Sequence, residues 1–506
     1  MDSTSDRARS AFGNEQDEAT YKKAVRGKEK FLRKFGDDTQ AVYHLASADV
    51  PVIGEALGVR NLVMGSGEPL DLAADAASAP VPAPTPRTVI GADGAPVIVG
   101  NIRMGFGHYR ISMAMASAAH AMGYTPYWLD LASFDATGSK MIREQNDLYS
   151  LASRISQKSR LFNRLIWEPL NSEGFKKITY NAKDQKNSEL LVPIFRHIDR
   201  DVPFIATHVW PSQAAIHAGM THVVNAIPDN WPMGLHLSEG AIHAVQTPFA
   251  YLGYKTLEGF AKTPLKGIPE SDLRMVGCYV DHELLVNLEE DNRLRKERIR
   301  SGGPVRLLFN VGGAGAGGEL FLGMIEHLIP YVERGAATLF LNAGDHADVY
   351  ERLKAKIGVI GGLRCFKNDF AGLSEYVVEI REGEAKGIAL ICDDDIFSAV
   401  YATNLLMPVS DLLVTKPSEL AYYPIPKLFM KHIGGHEVYG AIHGREYGDG
   451  TGEYADLTGL RRALDRLLTD REILQHFCDR ILELKEQGYY DGGYRCVRLA
   501  AGMATE

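Results

Sequence analysis

The residues best suited to chemistry begin with a run of glycines. Gly312, Gly313, Gly315, Gly317 and Gly318 follow an apolar run at 307–311 and precede a helix-like stretch at 320–331. A strand, a turn almost free of side chains and a helix N-terminus let backbone N–H groups approach an anion closely. The helix dipole favours negative charge at that point. A diphosphate suits the pattern best; a plain glycine-rich strand-to-helix turn is the alternative. No Gly-Lys-Ser/Thr closes the loop, so it is not a Walker loop. A second turn, Asn101-Ile-Arg-Met-Gly-Phe-Gly-His108, carries Gly105, Gly107 and His108 at the end of an apolar run. A neutral imidazole there can take a proton from an attacking hydroxyl near neutral pH. The alternative is a histidine that only caps its own helix.

Two further strand ends carry polar groups. One is Ser410-Asp-Leu-Leu-Val-Thr-Lys-Pro-Ser-Glu419, with Thr415, Lys416, Ser418 and Glu419. The other runs from Lys427 to Glu437 and closes on Gly434, Gly435, His436 and Glu437. Carboxylates at such ends can accept hydrogen bonds from vicinal sugar hydroxyls, and Lys416 can oppose phosphate charge. Taken singly, Glu419 is equally an acid in the first turn of a helix, and Lys416 a solvated lysine.

The elements that would position these residues alternate. Strands are expected at 97–101, 127–131, 203–208, 222–227, 243–247 and 275–280, with helices between them. After a charged helical segment (291–304) the alternation restarts, with strands at 306–311, 337–342, 388–392, 412–415 and 427–430. Helices at 457–468 and 470–487 follow. The pattern predicts an α/β protein with two Rossmann-like, doubly wound domains facing a cleft. In such sheets ligands bind at the carboxyl edge, where all four clusters fall. The boundaries expected are a helical N-terminal extension (1–72), an Ala/Pro linker (73–88), an acceptor domain (89–290), a donor domain (291–488) and a tail (489–506). The basic helical stretch at 19–35 reads as solvated.

Bulk properties narrow the class. The chain has 506 residues, 45% hydrophobic and 24% charged, as in ordinary globular proteins. A net charge of −9 argues against nucleic acid as a partner held by bulk positive charge. Five cysteines without a CxxC pair read as reduced thiols in a cytoplasmic protein. No apolar run spans a bilayer, and the acidic start is no secretory signal, so any membrane contact is expected to be peripheral.

Taken together, Gly-x-Gly-His, the glycine loop, Asp-Leu-Leu-Val-Thr-Lys-Pro and Gly-Gly-His-Glu occur in an order that resembles the two-domain GT-B glycosyltransferases. The resemblance is to the branch of monogalactosyldiacylglycerol synthase and the peptidoglycan lipid N-acetylglucosaminyltransferase. It covers roughly 96–488 and is strongest in the second domain. It implies His108 as catalytic base, Gly312–Gly318 as diphosphate loop and Thr415–Pro417 with Glu419 around the nucleotide. Gly435, His436 and Glu437 would lie at the donor sugar. There are departures. The segment 416–426 is shorter than the family pattern, His436 replaces glutamine, and Gly440 stands where asparagine is usual. The implied reaction transfers a sugar from a nucleotide diphosphosugar, most simply UDP-linked, to a hydroxyl. It needs no metal and no cofactor and inverts the anomeric centre.

The acceptor side is read from less. Gly105 and Gly107 flank the base, and Asp229 and Trp231 lie in a loop after a strand. A stretch at 153–167 combines Arg154, Lys158, Arg160 and Arg164 with Leu161, Phe162, Leu165, Ile166 and Trp167. Such a stretch can lie on an anionic membrane or meet a lipid acceptor; a helix packing its apolar side on the sheet is the alternative. Competing classes are a nucleotide-sugar epimerase on the same fold, a nicotinamide-dependent oxidoreductase and a non-catalytic sugar-nucleotide sensor.

Overall fold

Strands buried on both faces need helices on both faces, and that requirement organises this chain. The structure is a computed structural model that describes residues 6–52, 54–68, 70–78, 94–103, 105–311, 318–358 and 361–503. The glycine loop 312–317, Met104 and most of the Ala/Pro segment lie outside the described residues.

The first sheet has eight strands: β1 (Leu45–Asp49), β2 (Arg60–Met64), β3 (Pro96–Asn101), β4 (Thr125–Asp130), β5 (Phe204–Ala206), β6 (Val223–Ala226), β7 (Ile242–Val245) and β8 (Leu273–Met275). Their spatial order is β8-β7-β6-β5-β3-β4-β2-β1, and only the edge strand β1 is antiparallel. The second sheet has seven parallel strands: β9 (Val305–Asn310), β10 (Ala337–Asn342), β11 (Leu363–Lys367), β12 (Ile388–Cys392), β13 (Leu412–Thr415), β14 (Lys427–Met430) and β15 (Gly450–Tyr454), in the order β11-β12-β10-β9-β13-β14-β15. Each sheet reverses direction beside its first long strand. That point lies between β3 and β5 in one and between β9 and β13 in the other. A crevice opens at such a switch point, at the carboxyl ends of the strands.

The helices that matter for the site are α1 (Glu18–Phe35), α2 (Phe106–Ala121), α3 (Thr137–Lys158), α4 (Leu288–Ser301), α5 (Gly318–Glu333), α6 (Ile396–Leu406), α7 (Val438–Tyr447) and α8 (Gly492–Ala500). Helix α2 is rich in Ala and Met and buried nearly all round, as expected of a helix held between two layers rather than on a surface. One apolar cluster runs through it, from Val99 and Trp128 of the first sheet to Leu308 and Phe340 of the second. Arg110 crosses the same boundary: fully buried, it donates to Asn404 Oδ1 (2.9 Å) and Val400 O (3.2 Å) of α6.

Three expectations change. Residues 1–72 are not simply a helical extension, because β1 and β2 add to the first sheet. Helix α1 keeps its basic residues outward but buries Ala24 and Phe31, so it is amphipathic and packed rather than merely solvated. Within the expected C-terminal tail (489–506), residues 492–500 form a helix. Helix α8 returns to the first domain, where a Cβ on Gly493 would lie 3.2 Å from the Ala118 side chain of α2.

Candidate active site

A cleft of about 900 Å³ lies between the carboxyl edges of the two sheets. The turn after β3 forms one lip. Gly105 has φ +81°, a conformation that favours glycine, and it starts α2 without a side-chain cap. His108 falls in the first turn of that helix. Its Nδ1 is 2.7 Å from the carbonyl oxygen of Thr207, at the end of β5. A carbonyl only accepts, so the neutral ring carries its proton on Nδ1 and leaves the Nε2 lone pair free. The two strands at the switch point thus supply the histidine and the group that fixes its tautomer. Burial pushes the His108 pKa down, and the Thr207 carbonyl with the charge of Asp229 pulls it part of the way back.

Two more histidines stand behind it. The ring of His208 meets that of His108 edge to face at 5.0 Å. Its Nδ1 accepts from Trp210 N–H at 3.1 Å, and burial holds its pKa well below the ordinary value. His236 Nε2 lies 3.3 Å from Asp229 Oδ2, and the other oxygen of Asp229 is 3.9 Å from His436 Nε2, across the cleft. Burial raises the Asp229 pKa, but the hydrogen bond from His236 and the charge of His436 outweigh it and keep the carboxylate ionised.

The opposite wall is built from a charge pair. Lys416, just after β13, contacts Glu437 through Nζ and Oε1. Glu437 Oε2 also accepts from Ile433 N–H at 2.8 Å, so this carboxylate fastens its own loop. Burial pushes the Lys416 pKa down, but the charges of Glu437 and Glu419 outweigh it and raise it overall. Burial pushes Glu437 up, and Lys416 and His436 bring it below the usual range. Glu419 opens a short 3-10 turn (Glu419–Tyr422) and reaches the first domain: a Cβ at Gly107 would be 3.1 Å from its Oε2. Gly107 leaves room for that carboxylate beside the N-terminus of α2. Gly440 packs close against the same segment, since a Cβ there would lie 2.4 Å from the Pro417 carbonyl oxygen.

Of the residues expected here, His108, Gly105, Gly107, Asp229, Lys416, Ser418, Glu419, His436 and Glu437 line the cleft together. Thr415 is a buried residue of β13, and Gly435 sits one position behind the lining in its 3-10 turn. Gly312, Gly313, Gly315 and Gly317 lie outside the described residues, between the end of β9 and the start of α5. Trp231, expected on the acceptor side, is not among the residues that line the cleft. Rather than facing the cleft, it stacks on Tyr439 of α7 (4.5 Å, 21°), which stacks on Phe249 (5.1 Å, 10°), and the three rings bridge the domains. An indole is as useful for joining apolar surfaces as for binding a ligand. Sequence patterning does not mark His208 and His236, although both follow strands of the same sheet edge. Nor does it mark the ion pair of Arg103 with Asp345 (2.5 Å), which ties the lip of β3 to that of β10. Among the described residues no group of three or more His, Cys, Asp or Glu side chains is placed to hold a metal ion.

Two family models match this chain. Residues 10–256 fit one described as a domain of unknown function (DUF6937), and residues 268–501 fit another of the same description (DUF6938). The gap between them precedes β8, so the models part inside the first sheet. No curated protein matches the sequence. Solved structures give distant likenesses. One is the UDP-GlcNAc 2-epimerase from Neisseria meningitidis bound to UDP-GlcNAc, at 10% identity over 80% of this chain and 97% of that chain, with a TM-score of 0.43. Another is Acinetobacter baumannii MurG, at 12% identity over 81% of this chain and 100% of that chain, TM-score 0.42. A third is the alpha,alpha-trehalose 6-phosphate synthase from Burkholderia multivorans, at 11% over 81% and 99%, TM-score 0.39. The architecture rests on the two sheets themselves.

Proposed function

We propose that this protein is a glycosyltransferase that moves a sugar from a nucleotide diphosphosugar, UDP-linked in the simplest case, to the hydroxyl of an amphiphilic acceptor. The observation that carries the reading is His108, oriented by the Thr207 carbonyl so that a free Nε2 stands in an interdomain cleft. Nε2 takes the proton of the acceptor hydroxyl as its oxygen attacks the anomeric carbon. The bond from that carbon to the diphosphate breaks through an oxocarbenium-like state, as at other glycosyl centres. The leaving diphosphate takes the electron pair, and the glycine-rich segment with the N-terminus of α5 would stabilise its charge. One direct displacement inverts the anomeric configuration and calls on neither metal nor cofactor.

The acceptor class follows from α3. Asn146, Asp147, Ser150 and Ser153 share one stripe of that helix and line the cleft. Leu148, Leu151 and Ile155 form a neighbouring stripe exposed to solvent, and beyond the helix so are Leu161 (69%), Leu165 (63%) and Ile166 (54%). A polar stripe in the cleft beside an apolar stripe outside it suits an acceptor with a polar head and an apolar tail, at a membrane surface. No helix among the described residues is long and apolar enough to cross a membrane. Such contact would be peripheral, on the cytoplasmic face.

The second reading, a nucleotide-sugar epimerase, draws on Asp229 and His236, which place a further acid–base pair beside His108. Proton NMR of UDP-sugars, incubated with and without lipid extracts, separates the two. Transfer requires acceptor and yields an inverted anomeric signal. Acceptor-free conversion of the sugar would replace the transferase reading, and a retained configuration would remove the single-displacement scheme.

A further inference from the structure

After α3 the chain widens into two π-helical turns, Asn163–Trp167 and Leu170–Gly174. Such turns are rare and gather at functional sites. Trp167, in the first, is buried against the ring of Tyr149 (5.0 Å), which lines the cleft. Asn171, in the second, is fully buried and lines the cleft as well. Its Nδ2 donates to the Trp167 carbonyl oxygen at 2.8 Å. A carbonyl only accepts, so this bond settles which way the amide is turned. The other amide atom, Oδ1, has no hydrogen-bond partner in the protein.

The second π-helical turn packs on the 3-10 turn Gly435–Glu437 of the other domain. Gly434, just before that turn, has φ −104°, which any residue adopts. Space, not conformation, calls for glycine there. A Cβ on Gly434 would lie 2.6 Å from Cε1 and 2.9 Å from Nδ1 of His436, and 3.6 Å from Asn171 Oδ1. His436 Nδ1 is likewise buried without a partner in the protein. Two unpaired polar atoms, one from each domain, thus border the notch that the absent side chain leaves. Gly434, His436 and Asn171 all line the cleft. A buried polar atom left unpaired is costly.

We propose that Asn171 is a specificity-determining residue: its Oδ1 accepts a hydrogen bond from a hydroxyl of the transferred sugar, held in this notch opposite His436. The inference rests on the reading of the cleft as a sugar-nucleotide site and adds to it a residue of the first domain. The donor and acceptor inventory narrows the occupant. Asn171 Oδ1 can only accept, so the ligand must donate, which excludes a phosphate or carboxylate anion. His436 Nε2 lies 3.9 Å from Asp229 Oδ1. With its proton there, the neutral ring accepts at Nδ1; the charged ring donates. A hydroxyl does both and suits the pair in either state, whereas an apolar group leaves both atoms unpaired. Since the two atoms belong to different domains, the hydroxyl is read only while the cleft is closed.

Calorimetry of the full chain with UDP, UDP-glucose, UDP-galactose and UDP-N-acetylglucosamine tests this, in the natural protein and in Asn171→Ala. For at least one sugar, affinity relative to that for UDP is expected to fall about tenfold or more in the variant, while UDP itself binds as before. The matching deoxy analogue should bind weakly to the natural protein but as well as its parent to Asn171→Ala. General damage to the site would not produce that equality. Gly434→Ala fills the notch from the other domain and should repeat the loss, which serves if Asn171→Ala does not fold. UDP bound with an unchanged ratio for all three sugars, in a folded variant, overturns this proposal alone; the notch then holds water only. Failure of UDP to bind the natural protein overturns the donor-site reading along with it.

Discussion

The two walls of the cleft use opposite electrostatics. On the side of the first sheet stand His108, His208 and His236, rings held in fixed tautomers around one ionised carboxylate, Asp229. On the side of the second sheet stand Lys416, Glu419 and Glu437, where a half-buried lysine and a carboxylate neutralise each other and pin the loop at 433–434. The first wall can gain or lose a proton at little structural cost. The second cannot, because removing either charge strands the other in a poorly solvated place. On the proposed reading, proton chemistry belongs to the first wall and ligand holding to the second, so substitutions on the two should fail in different ways.

The largest effect is expected on the first wall. His108→Ala should lower kcat/KM by about a thousandfold, within the range of a lost general base, while binding of UDP measured by calorimetry stays the same. A loss of UDP affinity as large as the loss of rate would show that the division between walls is wrong. On the second wall, Lys416→Met should destabilise the fold by about 1–2 kcal/mol, since it leaves the half-buried carboxylate of Glu437 without its cation. The double variant with Glu437→Gln should recover most of that loss in urea denaturation. If it does not, the pair is not the unit described.

Acid should weaken histidines that are buried away from the cleft. Burial pushes His243 down to about 4 and His443 to about 3. The unfolded chain takes up these protons near pH 6.5, the folded one only well below. Their stabilisation is thus complete above about pH 6.5 and is lost as pH falls through the folded values, at up to roughly 1.4 kcal/mol per pH unit for each. Asp184, raised to about 7 by burial, works in the opposite sense: its contribution is present below the unfolded carboxyl value and lost as pH rises toward 7. Asp184→Asn should therefore steepen the loss of stability between pH 6.5 and 4, which denaturation at a series of pH values would measure. The smallest effect belongs to the clasp between walls. Tyr439→Ala removes the ring between Trp231 and Phe249 and should cost about 1 kcal/mol, with a more open mean shape by small-angle scattering.

How far these walls can be read from the sequence depends on burial. Strands β9, β10, β12, β13 and β14 are buried along their length, so their apolar runs mark them. The edge strands, β11 largely exposed and β15 half-buried, mix charge or glycine with apolar residues and leave no run to find. The pair β1 and β2 is legible only through Leu45 and Leu62. His108 stands out because a glycine turn and a helix start frame it. His208 and His236 have no such frame, and their roles appear only when the fold sets them beside His108 and Asp229. Trp231 shows the converse: a conspicuous residue in a strand-end loop whose partner, Tyr439, comes from the other domain.

The measurement that most directly tests a nucleotide-sugar site is thermal denaturation with UDP, GDP, ADP and NAD, each at saturating concentration. A ligand that binds only the folded chain stabilises it by ~2.7 kcal/mol at a hundredfold excess over its dissociation constant. The account predicts that UDP raises the melting temperature of both the natural protein and His108→Ala. A rise with NAD alone would contradict it and make the glycine-rich segment a dinucleotide site.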